Sequence, residues 1–120
     1  MKRGHIMRIF HNPRCSKSRQ TLQLIMEARQ EVEVIEYLEN PPTFQELRSV
    51  VTALGIAASG LVRTSEAVFR ELGVDLATLS DDAVIELIVA NPILLQRPIV
   101  VDSDKAIIGR PPENVLRLWS

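Results

Sequence analysis

The short run Arg8-Ile9-Phe10 stops at Asn12-Pro13, and the residues after it repeat with helical period, placing Leu22, Ile25 and Met26 at i, i+3 and i+4. Glu31 to Leu38 then returns to a strand pattern through Val32, Val34, Ile35 and Tyr37. A strand, a helix and a strand in immediate succession limit the chain to folds that layer helices on a sheet. Further along, Pro41-Pro42 breaks the chain and Thr43-Phe44-Gln45-Glu46 has the form of a capping box. It opens a helix striped by Leu47, Val50, Val51 and Leu54 and closed at Gly55. Residues 56–91 read as helical throughout. Thr64 or Ser65 would cap a short helix ending near Gly73, and Ser80-Asp81-Asp82 another that carries Val84, Leu87 and Ile88 and stops at Asn91-Pro92. Ile99-Val100-Val101 and Ala106-Ile107-Ile108 flank the polar Asp102 to Lys105 as a β-hairpin, and Arg110-Pro111-Pro112-Glu113 opens a last helix. The expected fold is α/β, a small mixed sheet with a helical insertion.

The 120 residues and 13.5 kDa suit a single domain over 1–120, with residues 1–6 a disordered extension or an alternative start before Met7. Lys+Arg 14 against Asp+Glu 15 gives no broad field for nucleic acid or an anionic membrane. The basic N-terminus leads into no apolar signal core. The longest apolar stretch, Val84 to Leu95, is broken by Glu86, Asn91 and Pro92, so no membrane span and a cytoplasmic location are expected. A single cysteine excludes an intramolecular disulfide and a multi-cysteine zinc site, and with His5 and His11 no metal-ligand spacing appears.

Chemistry concentrates in His11-Asn12-Pro13-Arg14-Cys15-Ser16-Lys17-Ser18-Arg19. Cys15 falls in a polar turn at the expected start of a helix. Unpaired N–H groups, the helix dipole and Arg14, Lys17 and Arg19 there favour thiolate over thiol. Cys15 and Ser18 form C-x-x-S, so an oxidised product must be resolved by a thiol from elsewhere. The position six after the cysteine holds Thr21, not the arginine of a tyrosine-phosphatase loop. Ser18 would either donate a hydrogen bond to the thiolate or lie on the helix surface. His11 would either hold the loop and depress the Cys15 pKa or be a partly buried turn residue. Arg63, Arg97 and Arg110 stand at element boundaries, and Arg97-Pro98 and Arg110-Pro111 bracket the hairpin. Converging on a thiolate, such guanidinium groups would make an oxyanion pocket. Arg97-Pro98 is expected to be trans, the usual state of an X-Pro bond.

Ordered along the chain, the loop from His11 to Arg19, Tyr37-Leu38-Glu39-Asn40-Pro41-Pro42, Leu61-Val62-Arg63, Asn91-Pro92-Ile93-Leu94, Arg97-Pro98-Ile99-Val100-Val101 and Gly109-Arg110-Pro111-Pro112-Glu113 resemble the glutaredoxin-coupled arsenate reductase family. The resemblance runs from about Ile9 to the end. With the chain ending at Trp119-Ser120, it is nearer the short chromosomal members than the longer plasmid-borne ones. It implies a thioredoxin-like fold, Cys15 as nucleophile, His11 and Ser18 as residues that lower its pKa, and Arg63, Arg97 and Arg110 as oxyanion ligands. It further implies a covalent thiol–arsenate adduct, to which glutathione adds before glutaredoxin resolves the mixed disulfide and arsenite is released. No bound cofactor and a monomer are expected.

Two other functions fit parts of this pattern. One is a disulfide-stress regulator that binds RNA polymerase, though such switches commonly carry a second cysteine where Ser18 stands. The other is a monothiol oxidoreductase acting on glutathione mixed disulfides, which needs Cys15 but no arginine cage.

Overall fold

The structure is a computed structural model that describes residues 6–119. The extension expected over residues 1–6 lies, apart from Ile6, outside the described residues. The chain divides into two compact units. One joins the segment up to Asn40 to the segment from Arg97 on, and the other is Pro41–Gln96, the helical insertion.

The first unit is built on a four-stranded mixed sheet in the order β2-β1-β3-β4, from β1 (Met7–His11), β2 (Val32–Glu36), β3 (Ile99–Asp102) and β4 (Lys105–Ile108). The α1 helix (Ser16–Glu27) connects β1 to β2, which run parallel with His11 opposite Glu36. On its other side β1 pairs antiparallel with β3, Phe10 opposite Ile99. The β3–β4 hairpin turns at Ser103-Asp104, where Ser103 takes a positive φ of 61°. Met7, Ile9, Ile25, Val100, Val115 and Leu118 form the core between sheet, α1 and the closing helix, each fully buried side chain worth about 1.5–3 kcal/mol.

Four details depart from the sequence reading. The buried face of α1 is Ser18, Thr21 and Ile25, while Met26 is 60% exposed. The helix turns a polar pair inward because both hydroxyls find partners there: Ser18 at His11 and Asn12, Thr21 at the Lys17 carbonyl. Strand β2 ends at Glu36, whose carbonyl accepts the N–H groups of Glu39 and Asn40 and folds Tyr37 and Leu38 into a turn. The last helix, Pro112–Leu118, is a 3₁₀ helix, as the Asn114 N–H to Pro111 carbonyl bond requires. Arg97-Pro98 is cis rather than trans, with the Pro98 ring lying against Gly109, and Arg110-Pro111 is cis too.

The second unit contains α2 (Phe44–Leu54), α3 (Ala67–Leu72) and α4 (Asp81–Ala90), with single 3₁₀ turns at Ala58–Leu61, Leu76–Thr78 and Pro92–Leu94 in place of continuous helix. Local signals set its ends. Thr43 and Glu46 form the reciprocal capping box, Ser80 caps α4, and Gly55 and Gly73 take the left-handed conformation that ends α2 and α3. The N-cap of α3 is Glu66, not Thr64 or Ser65. Its backbone takes the N–H groups of Phe69 and Arg70, while its carboxylate pairs with Arg63.

Candidate active site

The loop after β1 is a tight turn. Pro13 follows Asn12, whose side-chain Oδ1 accepts the Arg14 N–H at 2.9 Å and whose carbonyl accepts the Cys15 N–H at 3.0 Å. Cys15 then takes an extended conformation, φ −95° and ψ 123°, and its carbonyl accepts the Arg19 N–H at 3.0 Å, which makes it the N-cap of α1. A cap normally offers an oxygen to the free N–H groups of the first turn. The Cys15 side chain makes no such cap bond, but the backbone N–H groups of Lys17 and Ser18 lie close enough to its sulfur to favour the thiolate.

Two arginines reach the same sulfur from the other end of the unit. Arg110 Nη2 lies 3.5 Å from Cys15 Sγ, and the Arg97 guanidinium also bonds to it. Arg110 is held at several points. Its Nε donates to the Arg97 carbonyl at 2.8 Å, and its backbone N–H to the Ile108 carbonyl at 2.8 Å. Asn114 Nδ2 spans the bend that carries it, donating to the carbonyls of Ile108 at 3.2 Å and Arg110 at 3.1 Å. Gly109 donates its N–H to the Pro98 carbonyl at 2.9 Å and leaves no room for a side chain, since a Cβ would stand 2.7 Å from Pro98 Cγ and closer still to Thr21. Asn114 and Thr21 carry no signal in the sequence that would mark them as part of the site. Gly109 is visible there only as the residue before Arg110.

Burial, with 8% of Cys15 exposed, pushes its thiol up; the backbone N–H groups of Ser18 and Lys17 and the Arg97 guanidinium outweigh it and hold the thiol below its ordinary value. The site therefore shifts Cys15 toward the thiolate beside two guanidinium groups.

The Ser18 hydroxyl does not donate to that sulfur, nor does it lie on the helix surface. It is fully buried, accepts the Asn12 N–H at 3.0 Å and bonds to His11 Nδ1 at 2.6 Å, because its position on the inner face of α1 turns it toward β1. Only its main-chain N–H serves Cys15. His11 is buried at the end of β1. Burial lowers its pKa, Glu36 opposes this and Arg19 adds to it, and the net shift is downward, so the imidazole is neutral at pH 7. Arg63 belongs to the second unit, where its N–H donates to the Leu94 carbonyl at 2.8 Å and its guanidinium pairs with Glu66. Among the described residues no helix is long and apolar enough to cross a membrane, and no group of His, Cys, Asp or Glu is placed to hold a metal ion.

Known proteins resemble this chain in sequence and in fold. The ArsC family model matches residues 10–118. An arsenate reductase of Neisseria meningitidis is 46% identical over 110 residues, covering 91% of this chain and 94% of its own. The Escherichia coli protein YfgD is 48% identical over 113 residues, covering 93% and 95%. Among solved structures, an arsenate reductase from Vibrio cholerae superposes with a TM-score of 0.86 at 40% identity, over 94% of this chain and 98% of that one. The fold is thioredoxin-like with a helical insertion, and the chain belongs to the ArsC family.

Proposed function

We propose that this chain is an arsenate reductase with Cys15 as its nucleophile and glutathione and glutaredoxin as its reductants. The observation that carries the reading is the Cys15 sulfur, on the N-cap residue of α1, which meets the guanidinium groups of Arg97 and Arg110. A thiolate and an arsenate anion repel each other, and two cationic forks at the sulfur offset that repulsion while binding the oxyanion. The relatives named arsenate reductase support the choice of oxyanion.

Cys15 Sγ attacks arsenic, an S–As bond forms, and one arsenate oxygen leaves as water with arsenic still pentavalent. The glutathione thiolate then attacks the Cys15 sulfur. An S–S bond forms as the S–As bond breaks, and the electron pair stays on arsenic, which departs trivalent as arsenite. A glutaredoxin thiolate takes the glutathione and frees the Cys15 thiolate. The chain has a single cysteine, so the resolving thiol comes from outside. His11 and Ser18 are positioning residues that pin the loop through Asn12. Arg63 enters on the resemblance alone, as a further oxyanion-binding arginine. The protein acts as a monomer without a bound cofactor, in the cytoplasm, where glutathione is kept reduced.

The test is arsenate-dependent NADPH consumption coupled through glutathione reductase, glutathione and glutaredoxin. Turnover is expected in the wild type and lost in Cys15→Ser or without glutaredoxin. Absence of turnover while Cys15 still alkylates rapidly at neutral pH refutes arsenate as the substrate.

A further inference from the structure

We propose that a pocket at the carboxyl ends of β1 and β2 holds the γ-glutamyl head of glutathione, a site separate from the arginines that bind the oxyanion. The proposal rests on the reading above that glutathione is a reductant. The pocket is about 260 Å³, walled by the turn from His11 to Arg14 on one side and by Glu36, Leu38 and Glu39 on the other. It sits where the only parallel pair of the described sheet ends, the usual place for a ligand in an open α/β sheet. Its volume is below the roughly 300–1,000 Å³ of a pocket that encloses a whole small ligand, so it takes one end of a tripeptide.

Its charges select which end. Glu36 and Glu39 are exposed carboxylates that repel arsenate, and Arg14 is an exposed cation beside them. An ammonium and a carboxylate on one carbon match that arrangement, and in glutathione only the γ-glutamyl residue carries both. Leu38, exposed although apolar, offers a wall for the methylenes of that residue. His11 also lines the pocket, with its Nδ1 held by Ser18.

Reach also fits. The Asn12 carbonyl and the Cys15 N–H close the turn at 3.0 Å, so their Cα atoms stand within about 7 Å. In extended glutathione the γ-glutamyl Cα and the sulfur are seven bonds, about 8 Å, apart, enough to put its head in the pocket and its sulfur at Cys15. Strand β1 lies between β2, which lines the pocket, and β3, which follows Arg97. The two co-substrates therefore approach the sulfur from different flanks of the β1 loop and need not compete.

The experiment is the rate at which Cys15 reacts with oxidised glutathione, followed by mass spectrometry. Sγ attacks one sulfur of the disulfide, a new S–S bond forms, and the other half leaves as glutathione thiolate. The reaction needs neither arsenate nor a further oxidant. The Glu36→Gln/Glu39→Gln variant, changed only at exposed side chains, is compared with the wild type, using 2-hydroxyethyl disulfide as a partner without the amino-acid head. The variant should react roughly tenfold more slowly with oxidised glutathione, with the neutral disulfide unaffected. General electrostatics gives the opposite sign, because removing two negative charges speeds approach of an anionic disulfide. Faster or unchanged exchange, or equal slowing with both disulfides, overturns the proposal. Arsenate turnover in the variant with an unchanged KM for glutathione would sink the pocket and spare the arsenate reading.

Discussion

Arg110 donates its Nε–H to the main-chain carbonyl of Arg97 at 2.8 Å. The two arginines are thus tied through a backbone atom that survives any change of side chain at position 97. Arg97→Ala should leave Arg110 in place and remove one guanidinium from the sulfur. Arsenate reduction is expected to fall about 10²–10³-fold, as for loss of a charge-stabilising donor, while removal of glutathione from small mixed disulfides persists. Equal loss of both activities, measured side by side, would contradict an oxyanion role for Arg97.

Asn114 fixes the carbonyls on either side of Gly109. Asn114→Ala should raise the arsenate KM more than it lowers kcat, and should cost about 0.5–1.5 kcal/mol of stability for the hydrogen bonds lost. Asn114→Asp, which has no N–H to donate, should behave alike. A melting shift without any change in arsenate KM would reduce Asn114 to a structural role.

Gly109 faces Pro98 and Thr21 at distances that no Cβ tolerates. Gly109→Ala should destabilise the protein by about 1–3 kcal/mol through overpacking, read as a lower urea midpoint at unchanged slope.

Much of the insertion is legible in the sequence because its signals are local. Thr43 with Glu46, Ser80, Gly55 and Gly73 each act within one helical turn. The inner face of α1 is not legible. Ser18 and Thr21 look like surface residues until their partners are known, and Ser18's partner lies at the end of the preceding strand. The hairpin bracketed by Arg97-Pro98 and Arg110-Pro111 can be read, but the meeting of both guanidinium groups with Cys15 depends on a contact across 95 positions. Asn114 and Glu66 escape for the same reason: each matters through a carbonyl or a cation whose position only the folded chain defines.

Burial holds His11 below the ordinary imidazole value of 6.5. The unfolded chain therefore takes up a proton there before the folded one does. The stability this contributes is fully present above pH 6.5 and is lost as pH falls from there through the lowered folded value. Thermal melts from pH 8 to 5 should show that decline, and His11→Asn should flatten it. An identical slope in the variant would assign the decline to other groups.

The position of Cys15 at the head of α1 also bears on how the protein resets. The lowered thiol pKa means that the fold stabilises the thiolate over every form in which that sulfur is neutral, a disulfide included. A glutathione attached to Cys15 is then a strained debtor to the resting state, and the Cys15–glutathione bond should have a more oxidising reduction potential than an unperturbed mixed disulfide. In the proposed cycle the helix start that draws the proton off the sulfur would also favour release of the glutathione, so the last step would run downhill toward the form that begins the next.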